Sequence, residues 1–219
     1  MNGINMAGGE NRIIKQLISE GAYFKPSKNT RILAILDALS LNSGLSQFEL
    51  GRRLNLSGAM VNQYLKQMQS DGLVEFQPVN GKSYRYQLTE TGETARRRML
   101  ADYSSETVRI YTTVKEFIQE RLNPLEDSGK MRLVLFGASE TCEVVLSTLL
   151  ESRFQVVALV DNDSKKHGKL FHGYVVSSPV LLEQVECDAV VITSFGKQDE
   201  IYAQVEPVAG RMGIDIVRF

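Results

Sequence analysis

The sequence predicts an α/β protein in two parts, a mostly helical front half closed by a β-hairpin and a back half built on a parallel sheet. Three observations predict it. Apolar residues recur at helical spacing through residues 30–68, then switch to two short strand-like runs flanking Asn80-Gly81. Beyond residue 130, apolar runs alternate with helical stretches, as in βαβ units. Between the two patterns lies a polar segment with Pro124 and Gly129, so the expected domains are 1–122 and 131–219 with a linker at 123–130.

Composition sets the class. At 219 residues, with 43% apolar and 23% charged, the chain is long enough for two cores and too apolar for full-length disorder. No run approaches about 18 apolar residues, and Met1-Asn2-Gly3-Ile4-Asn5 lacks a basic leader, so neither a membrane span nor a secretory signal is expected. The cytosol is the default compartment. Two cysteines, Cys142 and Cys187, with two histidines, make neither a disulfide framework nor a four-ligand zinc site. Residues 1–124 carry 16 Lys+Arg against 12 Asp+Glu, and residues 125–219 carry 9 against 14. A basic front joined to an acidic back points to a polyanion partner for the front alone, with chance as the plain alternative.

The front elements follow in order. Ile13, Ile14, Leu17 and Ile18 suggest a short amphipathic helix. Ile32, Leu33, Ile35, Leu36, Leu39 and Leu41 mark a helix over about 30–41. Ser46-Gln47-Phe48-Glu49 fits a capping box opening a second helix through Leu50 and Leu54. Ser57 is placed to cap a third, carrying Met60, Val61, Leu65 and Met68 and ending at Asp71-Gly72. Residues 73–76 and 83–88 flank Asn80-Gly81, whose tolerance of positive φ suits a tight hairpin.

On the residues Leu45-Ser46-Gln47-Phe48-Glu49-Leu50, Ser57-Gly58-Ala59-Met60-Val61, Asp71-Gly72-Leu73-Val74 and Tyr86-Gln87-Leu88-Thr89-Glu90-Thr91-Gly92, the sequence resembles the MarR-like and related winged-helix transcription regulators over roughly 30–98. The resemblance implies double-stranded DNA as partner. The chemistry agrees, since a helix entering the major groove needs small residues at its start and amide or cationic side chains outward. Ser57, Gly58 and Ala59 supply the first; Asn62, Gln63 and Lys66 supply the second. Lys82 and Arg85 on the hairpin, with Arg52 and Arg53 on the preceding helix, are candidates for phosphate or the minor groove. The plain alternative is a solvated face, or a winged helix that binds only protein.

Thr89 should cap a long helix reaching about residue 122. Arg96-Arg97-Arg98 either touch phosphate or are simply solvated. Val108, Tyr111, Val114, Ile118 and Leu122 form an apolar stripe that either seals a homodimer, the preferred expectation, or packs on the N-terminal helix. Tyr111-x-x-x-Lys115 matches the spacing of short-chain dehydrogenases, but it precedes the glycine loop rather than following it, and is set aside.

In the back half, residues 132–136 read as a buried strand running into Gly137-Ala138-Ser139-Glu140-Thr141-Cys142, then a helix, then a strand over 156–160 ending on Asp161. Strand, glycine turn, helix, strand and terminal acid make a Rossmann-type unit, the acid lying 24 residues past the first glycine. Gly137 permits the tight turn. Ser139 and Cys142 stand where the fingerprint has its second and third glycines, and Glu140 beside the phosphate position opposes an anion. A helix from about Ser178, a strand over 188–193, a helix over 197–212 and a last strand over 214–219 complete the layout.

Through Gly137-Ala138, Asp161-Asn162-Asp163, Gly168 and His172-Gly173-Tyr174-Val175-Val176, residues 131–219 resemble the Rossmann domain of NADH-responsive redox-sensing repressors. They are equally similar to the front domains of sugar-nucleotide dehydratases and sugar O-acyltransferases. The resemblance implies NAD(H) or a nucleotide-sugar as ligand, with Gly137, Ala138, Ser139 and Thr141 facing phosphate. It places Asp161 and Asn162 by the ribose and Thr193-Ser194 at the strand ends. Lys165 and Lys166 partly offset the aversion of Asp161 to a 2′-phosphate.

Asp161-x-Asp163-x-Lys165 fails a calcium loop because a cation fills the third position. No Gly-x-Ser-x-Gly elbow exists, and no acid/base pair stands out. The expectation is a DNA-binding, homodimeric regulator sensing a nucleotide-type ligand, without metal or catalysis. A protein-binding adaptor with an empty Rossmann scaffold, or an enzyme acting on NAD or nucleotide-sugars, are the competing readings.

Overall fold

The computed structural model describes residues 15, 17–19, 21, 24–80 and 83–219. Ile13 and Ile14 of the expected first helix, and Gly81 and Lys82 at the hairpin turn, lie outside them. The chain divides into two units, residues 1–107 and 108–219, each with its own core.

The first unit is built around α1 (Lys28–Leu41), buried on all sides from Ile32 to Leu39. A helix buried all round has to be apolar all round, and α1 breaks that rule only at Asp37. That carboxylate is 4% exposed and accepts from Arg96 Nη1 at 2.8 Å. α2 (Gln47–Leu54) opens with the expected capping box: the Ser46 hydroxyl accepts from Glu49 N–H while the Glu49 carboxylate accepts from Ser46 N–H at 2.8 Å. Asn55, left-handed at φ 53°, turns the chain into α3 (Gly58–Ser70), which Ser57 caps through Met60 N–H. The turn is tight: a Cβ on Gly51 would lie 2.9 Å from the Leu56 carbonyl oxygen.

The wing is β1 (Val74–Asn80) and β2 (Ser83–Leu88), antiparallel, with Val74 opposite Leu88 and Phe76 opposite Tyr86. Thr89 closes the unit as the sequence leads one to expect. Its hydroxyl accepts from Gly92 N–H at 2.9 Å and donates to the Gly72 carbonyl at 2.7 Å. α4 (Glu90–Asp127) then begins so close to the α3–β1 turn that a Cβ on Gly92 would stand 2.0 Å from the Leu73 carbonyl oxygen.

α4 departs from expectation at its far end. The helix runs through Pro124 to Asp127, so most of the anticipated 123–130 linker is helical, and the boundary between units falls within the helix. Proline forfeits one hydrogen bond, but Ile118, Leu122 and Leu125 bury completely or nearly so against the second unit's sheet. Burial of that size outweighs the lost bond. The helix ends at Gly129 (φ 74°), with Lys130 N–H donating to Leu125 O. The apolar stripe is therefore split. Ile118 and Leu122 pack inside their own subunit on the sheet, neither at a dimer seam nor on the N-terminal helix, while Val108 and Tyr111 stay exposed.

The second unit is a six-stranded sheet of β3 (Arg132–Phe136), β4 (Gln155–Val160), β5 (Leu170–Phe171), β6 (Tyr174–Ser177), β7 (Ala189–Ile192) and β8 (Asp215–Val217) in the order β5-β6-β4-β3-β7-β8. All neighbours pair in parallel except β5 with β6. Taken in chain order, the parallel strands lie third, second, first, fourth, fifth, the doubly wound order whose direction of winding reverses between β3 and β7. Side chains alternate as the pleat demands. Leu133, Leu135, Leu159 and Val191 meet α5 (Glu140–Leu149) and the end of α4, whereas Val134, Phe136, Val160 and Ile192 meet α6 (Gln198–Met212).

The helix expected from Ser178 is only a 3₁₀ turn, Pro179–Glu183; Leu182 alone of its residues is buried, so nothing supports a further turn. His172 (φ 48°) and Gly173 (φ 89°) form the two-residue turn joining β5 to β6, where both central residues need positive φ.

Gly92→Ala should destabilise the first unit by about 2 kcal/mol or more, since backbone has to shift to admit the methyl. Gly58→Ala, with open space around its Cβ, should change stability by less than about 1 kcal/mol. Urea denaturation of the two variants reads the difference.

Candidate functional site

Two sites take shape, one in each unit. On α3, Val61, Leu65 and Met68 are buried, which turns Ala59, Asn62, Gln63 and Lys66 outward, and all four are exposed. The recurrence at three and four residues puts them on one stripe. Ser57 is exposed at the head of this stripe but its hydroxyl is spent on Met60 N–H. Arg52 and Arg53 in the last turn of α2 and Arg85 on β2 are exposed as expected; Lys82 lies outside the described residues.

Of the arginine run, Arg96 has a different role from phosphate contact or solvation. It is 17% exposed and bonded to Asp37 and Glu93, because that helical position faces α1. Arg97 and Arg98 remain exposed. One contact escaped the sequence reading: Gln47 Nε2 donates to the Gly58 carbonyl at 2.6 Å, tying the start of α2 to the start of α3. Its only sequence signal is its place inside the capping box.

In the second unit the carboxyl ends of β3, β4 and β7 bring together Gly137, Ala138, Ser139, Asp161 and Thr193. Gly137 has φ 113°, a conformation costly for any side chain, and a Cβ there would approach the Thr193 carbonyl oxygen to 3.2 Å. Thr193, fully buried, donates its hydroxyl to the Gly137 carbonyl at 2.6 Å, and the Ser139 hydroxyl donates to the Thr193 carbonyl at 2.9 Å. Ser139 thus spends its hydroxyl on β7 and leaves the first amides of α5 without a side-chain cap. Thr141 and Ser194 are half-buried nearby, and Asn162 is turned aside to donate to Gln204 of α6 at 2.9 Å.

Asp161, 8% exposed, is held by three donors. Oδ2 accepts from Ala138 N–H and Lys166 Nζ, each at 2.8 Å, and Oδ1 accepts from Asp163 N–H at 2.8 Å. A carboxylate offers about four acceptor positions, so roughly one remains on Oδ1. Burial alone pushes this carboxyl up, but the Lys166 ammonium and the two amides outweigh it and hold its pKa below the ordinary value. Lys166 also donates to the Ala138 carbonyl at 2.8 Å, and so clasps both sides of the glycine turn. Of the two adjacent lysines, only Lys166 makes that contact; Lys165 is exposed.

Cys142, at the third fingerprint position, is fully buried, and burial drives its thiol up to about 11; Cys187 is raised by burial as well. Neither is poised as a nucleophile at neutral pH. Among the described residues, no group of three or more His, Cys, Asp or Glu side chains could hold a metal ion, and no helix is long and apolar enough to cross a membrane.

Two families match parts of the chain. One described as winged helix-turn-helix DNA-binding covers residues 28–75, from α1 to the start of β1, and one described as C2185-like, N-terminal covers residues 129–214. The front unit is thus a winged helix-turn-helix of the DNA-binding kind. No curated protein matches the chain. Similar solved structures include the DNA complex of MepR from Staphylococcus aureus, at 16% identity over 44% of this chain and 76% of that one, TM-score 0.35. The transcriptional regulator PcaV of Streptomyces coelicolor is 18% identical over 54% and 87%, TM-score 0.36. A MarR family protein of Mycobacterium tuberculosis, in complex with salicylic acid, is 22% identical over 45% and 74%, TM-score 0.34.

Asp161→Asn should lower the second unit's stability by about 2 kcal/mol at pH 7, the order expected for hydrogen bonds to a buried charge. The depressed pKa means this contribution is full above the ordinary carboxylate range and fades as pH falls through the folded-state value. Thermal melts of both proteins from pH 7 to pH 3 should therefore converge.

Proposed function

We propose that the protein is a transcription regulator whose front unit binds double-stranded DNA as a homodimer and whose back unit senses a nucleotide, dinucleotide or nucleotide-sugar, without catalysing a reaction. The observation that carries the DNA reading is the open polar stripe of α3, with Asn62, Gln63 and Lys66 exposed above the buried Val61, Leu65 and Met68. Asn and Gln amides match adenine edges, and a lysine matches guanine or phosphate. Arg52, Arg53 and Arg85 flank the stripe as backbone contacts, which position without specifying. Pairing of two copies multiplies affinity on successive half-sites, and the exposed Val108 and Tyr111 of α4 offer apolar surface for it.

For the ligand, the winding reversal between β3 and β7, the positive-φ Gly137 and the acid at the end of β4 support a site at the carboxyl ends of the strands. NAD(H) and nucleotide-sugars are the candidates. Ligand alters DNA affinity only by preferring one arrangement of the two recognition helices. A second reading, an adaptor with an empty scaffold, draws on the fact that three donors already occupy Asp161. A thermal-shift screen with NAD(H), UDP-sugars and GDP-sugars separates them: stabilisation that grows with ligand concentration favours the sensor, and none with any of these favours the adaptor.

On a duplex selected from a random pool, Asn62→Ala and Gln63→Ala should each cost about 1–3 kcal/mol and relax preference at particular base pairs. Lys66→Gln, if it meets phosphate, should weaken all duplexes alike and lower the slope of log affinity against log salt by about one. Failure to enrich any duplex, or a flat salt response in the parent protein, overturns the DNA reading.

A further inference from the structure

We infer that Gln47 is a positioning residue for sequence recognition: its side chain holds the first turn of α3 at the angle that lets Asn62 read a base edge. This rests on the DNA reading of the front unit, and it names a determinant of specificity that touches no base itself.

Gln47 is the first residue of α2 and Gly58 the first of α3. Gln47 Nε2 donates to the Gly58 carbonyl at 2.6 Å, and among the described residues this is the only side-chain hydrogen bond between the two helices. The capping box leaves the glutamine free to make it. Ser46 and Glu49 satisfy one another, the Glu49 carboxylate taking both the N–H and the hydroxyl of Ser46 at 2.8 Å. Phe48, the next residue, is 77% exposed, whereas Gln47 is half-buried against α3.

At the receiving end, helical geometry gives the Gly58 carbonyl a second partner, the Asn62 N–H four residues on. A carbonyl oxygen has two acceptor positions, so one atom joins the Gln47 side chain to the backbone of the residue that faces a base. Little else grips this end of α3 from outside. Gly58 has no side chain, and a Cβ there would meet nothing within 4 Å. The Ser57 hydroxyl bonds inside the helix, to Met60 N–H. Val61, Leu65 and Met68 anchor the inner face of α3, which fixes how deep the helix sits more than how its exposed first turn is angled.

Orientation is at stake here more than stability. The bond is open to water, and exchange with hydration keeps its net worth to the fold small. A bidentate pairing of an amide with adenine weakens steeply as the donor angles open. A swing of the first turn therefore costs discrimination, while the exposed Arg52, Arg53 and Arg85, and with them the salt dependence, stay as they are.

The test is a double-mutant cycle in the full-length protein, on a duplex selected from a random pool and on its scrambled counterpart. Gln47→Met keeps the length and removes the donor. It should weaken the selected duplex about three- to tenfold and the scrambled one less than about twofold. The slope of log affinity against log salt and the urea midpoint should not move. In an Asn62→Ala background the effect of Gln47→Met should shrink below about twofold, whereas beside Arg85→Gln it should persist in full. Equal weakening of both duplexes, or a full effect retained beside Asn62→Ala, overturns the inference, the latter by making Gln47 a direct contact. So does a Gln47→Met protein that discriminates as the parent does. A parent that binds neither duplex removes the DNA reading and this inference together.

Discussion

A single helix serves two cores, and each core depends on its share of it. At one end α4 is pinned by the Thr89 hydroxyl, by the close approach at Gly92 and by the Arg96–Asp37 pair, which satisfies the carboxylate set into the buried face of α1. At the other end Ile118, Leu122 and Leu125 cover the sheet beside α5. Without that cover Leu133, Leu135 and Val191 would meet water on one side, and a parallel sheet needs both faces sealed. The proline at 124 is tolerated because the apolar contacts on either side of it are already committed.

The two candidate sites show opposite treatment of polar groups. On α3 the amides and the lysine are left to water, so a nucleic acid has only hydration to displace. At the strand ends of the second unit Thr193, Ser139, Ala138, Lys166 and Asp161 satisfy one another, which stabilises the loop and narrows what a ligand is offered. A ligand at that loop has to compete with Lys166 for the carboxylate or use the acceptor position left on Oδ1. Such competition would make occupancy sensitive to how firmly Lys166 is held.

Much of the front unit was legible because its signals are local. A capping box is complete within four residues, Ser57 and Thr89 cap the turns that immediately follow them, and α2 and α3 carry their buried faces at helical spacing. β3, β4, β7 and β8 of the back unit were legible for the same reason, whereas the short β5 and β6 were not read as strands. Pro124 and Gly129 misled, because a breaker's local cost is visible in sequence while the burial of Leu125 that offsets it is not. The triple arginine misled similarly: nothing adjacent to Arg96 reveals an acid 59 residues away.

By itself the sequence determined most of the segments that become helix and strand, several of the residues that cap them, and which faces are apolar, since these follow from neighbours within a turn or a pleat. Only the tertiary structure decided the order of the strands and the choice of Lys166 over Lys165 as partner for Asp161. Those outcomes depend on contacts between residues far apart in the chain, where packing and the pairing of buried charge, rather than local propensity, set the lowest free energy.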